Sequence, residues 1–116
     1  MKAYTNLEQS RILAEILPID SADMKYPYFG DGQYGETALF GEPIEFSGGK
    51  DIPCWSLTAL IELMGECRME RTPLDQSGAF THSFVDDYFN IRTYEEYDIV
   101  DAAVEMILKL KEKDLL

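Results

Sequence analysis

The stretch DIPCWSLTALIELMG, Asp51 to Gly65, carries the clearest structural signals in the chain. Ser56 is suited to cap a helix, and Trp55 and Leu60 occupy the two positions that close a hydrophobic staple around such a cap. The apolar residues that follow repeat at helical spacing: Leu57, Leu60, Ile61 and Met64. Pro53 keeps the approach extended and the final glycine supplies a left-handed stop. The stretch therefore predicts the entrance to a helix rather than a reactive site.

Two further helices are predicted on either side of this one. Thr5 and Glu8 have the spacing of a capping box, and Pro18 disfavours helix at the residue before it, so a first helix should start at Thr5 and end near residue 17. Its apolar face comprises Ile12, Leu13, Ile16 and Leu17. The last helix has two candidate starts, a capping box over Thr93–Glu96 and a rival cap at Asp98.

The last helix also shows the most regular interior. One apolar stripe contains Ile99, Ala103, Met106, Ile107 and Leu110. Glu105 and Lys109 can pair at a spacing of four residues, and the lysines near the end suit the negative end of the helix dipole. The helix should therefore bury one face and leave the other charged.

Aromatic residues interleaved with glycine turns indicate short strands between the first two helices. Six of the eight glycines lie between Gly30 and Gly49, and candidate strands run near 23–29 and 36–46, with a third over 83–92 after the turn-rich segment 73–78. We predict an α+β fold, a single domain over residues 1–116 with about three helices packed on a small, mostly antiparallel sheet.

Composition narrows the function classes. The chain carries 22 acidic and 10 basic residues, a net charge of −12, which disfavours direct binding to nucleic acid or to an anionic membrane surface. The N-terminus has no apolar leader and no window reaches the roughly 18 apolar residues of a membrane span. Cys54 and Cys67 flank the central helix and are too far apart to bridge, which fits a cytoplasmic protein with free thiols.

Few residues suit catalysis or metal binding. Cys54 or Cys67 with the single histidine, His82, is a formal nucleophile pair, but we interpret Cys54 as a packed structural thiol and His82 as a polar loop or strand-edge residue. Three scattered Cys and His residues do not make a zinc site. Asp31 and Glu36 lie in a glycine turn without the ligand pattern of a calcium loop, and residues 47–51 lack the phosphate-loop pattern. We predict no cofactor and no metal.

The aromatic group Tyr26, Tyr28, Phe29 and Tyr34 is the candidate binding surface, because tyrosine is common at protein interfaces. The alternative for the same residues is one face of a strand that fills the core. Pairing through such a surface would involve an unidentified protein partner or a second copy of the chain.

Three segments resemble a family of small uncharacterised proteins encoded in phages and mobile elements of anaerobic gut bacteria: LEQSRILAEILPIDSADM at 7–24, IPCWSLTALIELM at 52–64 and DAAVEMILKLKEKDLL at 101–116. The resemblance does not extend to residues 30–50 or 66–82 and implies no activity.

Three functions remain open from the sequence. The first is a non-enzymatic cytoplasmic accessory protein that binds another protein. The second is an acidic inhibitor of host defence or a nucleic-acid mimic, whose carboxylates imitate phosphates. The third is a small enzyme that uses a carboxylate pair not yet located in the sequence.

Overall fold

The computed structural model describes residues 3–46 and 49–116, without the side chain of Phe46. Three helices, α1 (Leu7–Ala14), α2 (Leu57–Met64) and α3 (Ile99–Glu112), accompany short antiparallel strands, so the predicted α+β class is confirmed. The chain divides into two compact units, Tyr4–Ala59 and Leu60–Leu116 with Ala3. A single domain over residues 1–116 stays a prediction. The described residues form four small sheets in place of the single sheet that was expected.

The unit Tyr4–Ala59 contains a three-stranded antiparallel sheet in which β1 (Met24–Tyr26) lies between β4 (Leu39–Phe40) and β7 (Ile52–Cys54). Two hairpins accompany it, β2 (Tyr28–Gly30) with β3 (Gln33–Tyr34) and β5 (Glu45–Phe46) with β6 (Gly49–Lys50). Helix α1 packs against β7. The predicted strands 23–29 and 36–46 are therefore interrupted, because glycine and proline turns break each run.

The first helix begins one residue later than predicted. Asn6, not Thr5, is the cap, and its side chain forms a reciprocal capping box with Gln9. Thr5 instead bonds to the segment before α2, because its amide donates to the carbonyl oxygen of Trp55 at 3.0 Å. The α-helix ends at Ala14, and a turn carries the chain on to the buried side chain of Leu17.

The second helix begins as predicted. The Ser56 hydroxyl accepts from the Ala59 amide at 3.2 Å, and Ser56 is itself held by the Asp23 carboxylate, which accepts from its amide at 2.9 Å. Gly65 has the predicted left-handed conformation, with φ of 63°. Leu60 and Met64 are buried, whereas Ile61 is exposed.

The unit Leu60–Leu116 contains a second antiparallel sheet in the order β10 (Ile91–Arg92), β9 (Phe80–Asp86) and β8 (Arg68–Pro73). Helix α3 packs on the central strand β9. The predicted strand 83–92 is in fact a hairpin, because the Asp86 carboxylate accepts from the amides of Tyr88 and Phe89 and turns the chain. The strand β8 was not predicted, since all but one of its residues are exposed.

Helix α3 starts at the Asp98 cap, whose carboxylate accepts from the Val100 amide at 2.8 Å, so the rival start was the right one. Four of the five predicted stripe residues are buried: Ala103, Met106, Ile107 and Leu110. The expected pair of Glu105 and Lys109 forms at 3.6 Å.

None of the helices in the described part of the chain has both the length and the apolar character needed to cross a lipid bilayer.

Candidate functional site

A groove beside helix α1 is the candidate site in the unit Tyr4–Ala59. Its cavity has a volume of about 300 Å³, at the lower end of the range for ligand pockets. The residues that give it its chemistry are Arg11, Glu15, Ile19, Tyr34, Lys50 and Pro53. Apolar and aromatic side chains thus meet two cations and one exposed carboxylate at a single concave surface.

Two neighbouring depressions extend this surface. Arg11 also lines a depression with Leu7 and Glu8, and Ile19 also lines one beside Ala22 and Pro43. Because each shares a lining residue with the main cavity, the three form a track of adjoining depressions, of which the two that share Arg11 border α1. We call this track, from Leu7 to Pro43 through the main cavity, the α1 groove.

An aromatic wall closes one side of the α1 groove. The guanidinium carbon of Arg11 lies 5.6 Å from the centre of the Tyr34 ring, within the range of a cation–π contact. The Tyr34 ring in turn contacts that of Tyr28, with centroids 5.3 Å apart. A Cβ atom at Gly49 would lie 2.4 Å from the Tyr28 ring. Only glycine at position 49 therefore allows the Tyr28 ring to occupy its place in the aromatic wall.

A buried carboxylate supports the groove from beneath. Asp51, 2% exposed, accepts from the amide of Tyr28 and from the amide of Ile44, each at 2.9 Å. The ammonium group of Lys25 lies 3.5 Å from the same carboxylate. The Asp51 side chain therefore connects Lys25 of β1, Tyr28 of the aromatic wall and Ile44, which precedes β5.

A second buried polar cluster joins α1 to β7. The Thr5 hydroxyl lies 2.7 Å from that of Ser10, and it accepts from the Trp55 amide at 3.2 Å. The Cys54 thiol lies 3.4 Å from the same hydroxyl. Every buried side-chain nitrogen or oxygen in the described part of the chain has a hydrogen-bond partner. The cluster is a satisfied network that fixes the helix forming the groove.

The four aromatic residues predicted as a binding surface have different surroundings. Tyr26 is 4% exposed and its hydroxyl donates to the Thr5 carbonyl at 2.8 Å; burial, with the neighbouring Cys54 and Tyr4, raises the pKa of Tyr26 to about 12. Tyr28 and Tyr34 are half-buried in the aromatic wall, and Phe29 is 70% exposed. The structure thus brings Tyr34 to the α1 groove and places Tyr26 in the core.

Arg11, Lys50 and the supporting Asp51 were missed by the sequence reasoning. Arg11 could have been found as the one basic residue of the first predicted helix, lying outside its apolar face. Nothing local marks Asp51, because its partners lie 7 or more residues away in sequence.

His82 is not the polar loop or strand-edge residue that was expected. It lies 3% exposed in the central strand β9, and its ring nitrogen Nδ1 is 3.2 Å from the carbonyl oxygen of Tyr97. Its backbone exchanges two hydrogen bonds with Glu96. Side chain and backbone are therefore both committed to holding the segment before α3.

The unit Leu60–Leu116 does contain a close carboxylate pair. Burial, together with a hydrogen bond and the charge of Glu105, raises the pKa of Glu96. Glu105 also accepts from the Tyr94 amide at 2.7 Å and pairs with Lys109. These bonds tie the pair to the start of α3.

Among the described residues, no group of three or more His, Cys, Asp or Glu side chains is placed to hold a metal ion.

No protein-family profile, curated protein or solved structure matches the chain.

We expect the two thiols to differ in reactivity. Burial raises the pKa of Cys54, which is fully enclosed, and also that of Cys67, which is only half-buried. A chromogenic disulfide reagent should therefore titrate about one thiol in the folded protein and two after denaturation. The Cys67→Ser variant should show none until it is unfolded. Rapid labelling of the folded Cys67→Ser variant would show that Cys54 is accessible and would remove its structural interpretation.

Proposed function

We propose that the protein acts by binding another protein, and that the α1 groove receives an extended segment with a carboxylate side chain beside an apolar one. The observation that carries this proposal is the placement of Arg11 and Lys50 at one cavity with Tyr34, Ile19 and Pro53. A guanidinium binds carboxylates well, and aromatic or apolar walls bury the neighbouring side chain.

The charges at the cavity favour an acidic ligand over a basic one. Arg11 and Lys50 are two of only 10 basic residues in a chain with 22 acidic ones. The Asp51 carboxylate that also borders the cavity is neutralised by Lys25 and by two amides. Glu15 is therefore the one exposed carboxylate at the main cavity, and Glu8, Asp20 and Glu42 line the two neighbouring depressions, so the preference for an acidic group applies to the main cavity.

The track shape favours a peptide segment over a compact small molecule. Three adjoining depressions share Arg11 and Ile19 as lining residues, and two of them border α1. An extended chain advances about 3.3 Å per residue and places alternate side chains on the same surface, which suits such a series.

The two other functions have less support. For nucleic-acid mimicry, carboxylates must be free to imitate phosphates, yet Asp51, Glu70 and Asp87 are each paired with a basic side chain. For an enzyme, the Glu96 and Glu105 pair is the located candidate, but Glu105 is bound by the Tyr94 amide and by Lys109. The candidate enzyme pair therefore includes a carboxylate with structural partners, and three of the 22 acidic residues are already paired and less free for mimicry.

The cellular setting is part of the same proposal. The resemblance of three segments to phage and mobile-element proteins supports an accessory role in such an element, and the two free cysteines support a cytoplasmic location.

A randomised peptide library displayed on phage and selected on the immobilised protein tests the binding proposal. We expect enrichment of Asp or Glu next to an apolar residue. The double variant Arg11→Glu/Lys50→Glu should lose the enriched peptides by at least about tenfold in binding, because both cationic contacts are reversed. The control variant Arg71→Glu, on β8 and outside the groove, should bind as the native protein does.

Two outcomes would contradict the proposal. One is a selection without any acidic preference. The other is a set of enriched peptides whose binding is the same for the native protein and for the double variant.

A further inference from the structure

The strand β8 has an open edge in the unit Leu60–Leu116. In the described part of the chain β8 pairs with β9 on one side, and no strand pairs with its other side. Five of its six residues are exposed, Met69 and Arg71 among them. An exposed edge of this length is a template for pairing with another strand.

The direction of the β8 backbone groups follows from the hydrogen bonds of β9. His82 exchanges two backbone bonds with Glu96, so its amide and carbonyl point away from β8. Arg71 lies opposite His82 in the antiparallel register, which makes the two a pair without mutual hydrogen bonds. The amide and carbonyl of Arg71 therefore point outward, to the open edge.

The same reasoning applies to Met69. It lies opposite Phe84, whose carbonyl accepts from the Thr93 amide and whose amide donates to the Thr93 hydroxyl. Both backbone groups of Phe84 are thus used on the far side of β9. The amide and carbonyl of Met69 point to the open edge as well, two residues from those of Arg71.

Charge selects the strand that fits this edge. We propose that the edge of β8 pairs antiparallel with β8 of a second copy of this chain, with Met69 of each copy opposite Met69 of the other. In that register Arg68 lies opposite Glu70 of the second copy, and Glu70 lies opposite Arg68, which gives two opposite-charge pairs related by the two-fold axis.

The other symmetric registers are less favourable. A pairing centred on Glu70 places the two Glu70 carboxylates directly opposite each other, and one centred on Arg71 does the same for two guanidinium groups. The register centred on Arg71 also sets Met69 against Pro73, which has no amide to donate. Of the three registers centred on Met69, Glu70 and Arg71, only that of Met69 combines outward backbone groups with opposite charges.

The ionic network already present on β8 is compatible with this pairing. Arg68 contacts Asp87 at 2.6 Å and Glu70 at 2.7 Å, and Glu70 also contacts Arg92. Arg68 is still 48% exposed and Glu70 34% exposed, so both can reach a second copy. The two-fold pairing joins two such networks into one.

Disulfide trapping tests the register. In the Cys67→Ser background, Met69→Cys places two thiols across the two-fold axis, where hydrogen-bonded partners have Cα atoms about 5.5 Å apart, within disulfide range. Mild oxidation should give a cross-linked dimer on a non-reducing gel. The matched control Thr72→Cys should stay monomeric, because its two copies would be roughly 20 Å apart at 3.3 Å per residue. Equal cross-linking of both variants, or of neither, overturns the proposal.

Sedimentation at increasing protein concentration tests the charge pairing. The native protein should dimerise, and Glu70→Arg should weaken dimerisation by at least about tenfold because both cross-pairs become like-charged. The exchange variant Arg68→Glu/Glu70→Arg should recover dimerisation, and a melting curve for each variant confirms that it is folded. A native protein that stays monomeric, or an exchange variant no better than Glu70→Arg, overturns the proposal.

Discussion

Replacing Asp51 with alanine should lower the free energy of unfolding by about 3 kcal/mol or more. The substitution leaves two amides, of Tyr28 and Ile44, without their acceptor and leaves the Lys25 ammonium beside an apolar side chain. Removing one partner of a buried charge pair is costly because the remaining charge stays desolvated. Urea denaturation followed by circular dichroism measures the loss.

Two further variants sharpen this test. Asp51→Asn keeps one carbonyl acceptor but turns its NH2 group, a donor, toward the second backbone amide. Its free energy of unfolding should therefore lie between those of the native protein and of Asp51→Ala. Asp20→Ala removes an exposed carboxylate from the same unit and should change stability by less than about 0.5 kcal/mol. If Asp51→Ala and Asp20→Ala were equally stable, Asp51 would not be the support of the groove.

Replacing Trp55 with alanine should cost about 3–5 kcal/mol, the usual range for truncating a large buried aromatic residue. Trp55 is 0% exposed, and its indole nitrogen donates to the Ser21 hydroxyl at 3.0 Å. The change therefore removes both a large packed volume and a hydrogen bond. Because Trp55 is the single tryptophan, circular dichroism must replace fluorescence as the probe.

The control for Trp55 is Tyr94→Ala, which truncates an aromatic side chain that is 75% exposed. Its cost should stay below about 1 kcal/mol, since little apolar area is uncovered even if the contact with Lys109 is lost. A Trp55→Ala variant as stable as Tyr94→Ala would mean that Trp55, in the stretch Asp51 to Gly65, does not organise the core.

Signals confined to a few neighbouring residues made most of the helical part of the fold predictable. The Ser56 hydroxyl caps an amide within one turn of helix, and the Gly65 stop is the backbone conformation of one residue. The apolar stripe of α3 is equally local, because a single helix face repeats every three to four residues. These features need no knowledge of what lies elsewhere in the chain.

The start of a helix was not predictable where two neighbouring residues could each serve as its N-cap. Both Thr5 with Glu8 and Asn6 with Gln9 have capping-box spacing, and the choice falls to Asn6 because Thr5 is bound to the Trp55 carbonyl 50 residues away. The same limit applies to the segment 83–92. Its β-rich composition predicts one strand, whereas a single carboxylate, that of Asp86, turns it into a hairpin.

The candidate site was predictable only in part. Tyr34 was among the aromatic residues selected from the sequence, and it does line the α1 groove. Arg11 and the adjacent residues Lys50 and Asp51 come from two separate segments, and only the folded chain brings them to one cavity. Strand β8 was missed for another reason, because its exposed and highly polar sequence lacks the alternation of a half-buried strand.

The buried position of Asp51 separates the residues that hold the groove together from those that would meet a ligand. Arg11 and Lys50 are exposed, whereas the bonds that fix the surrounding segments converge on one carboxylate beneath them. Substitutions at the two cations should therefore alter ligand preference at small cost in stability. Under the proposed binding role, such an arrangement would let changes at the two cations redirect binding while the buried support stays the same.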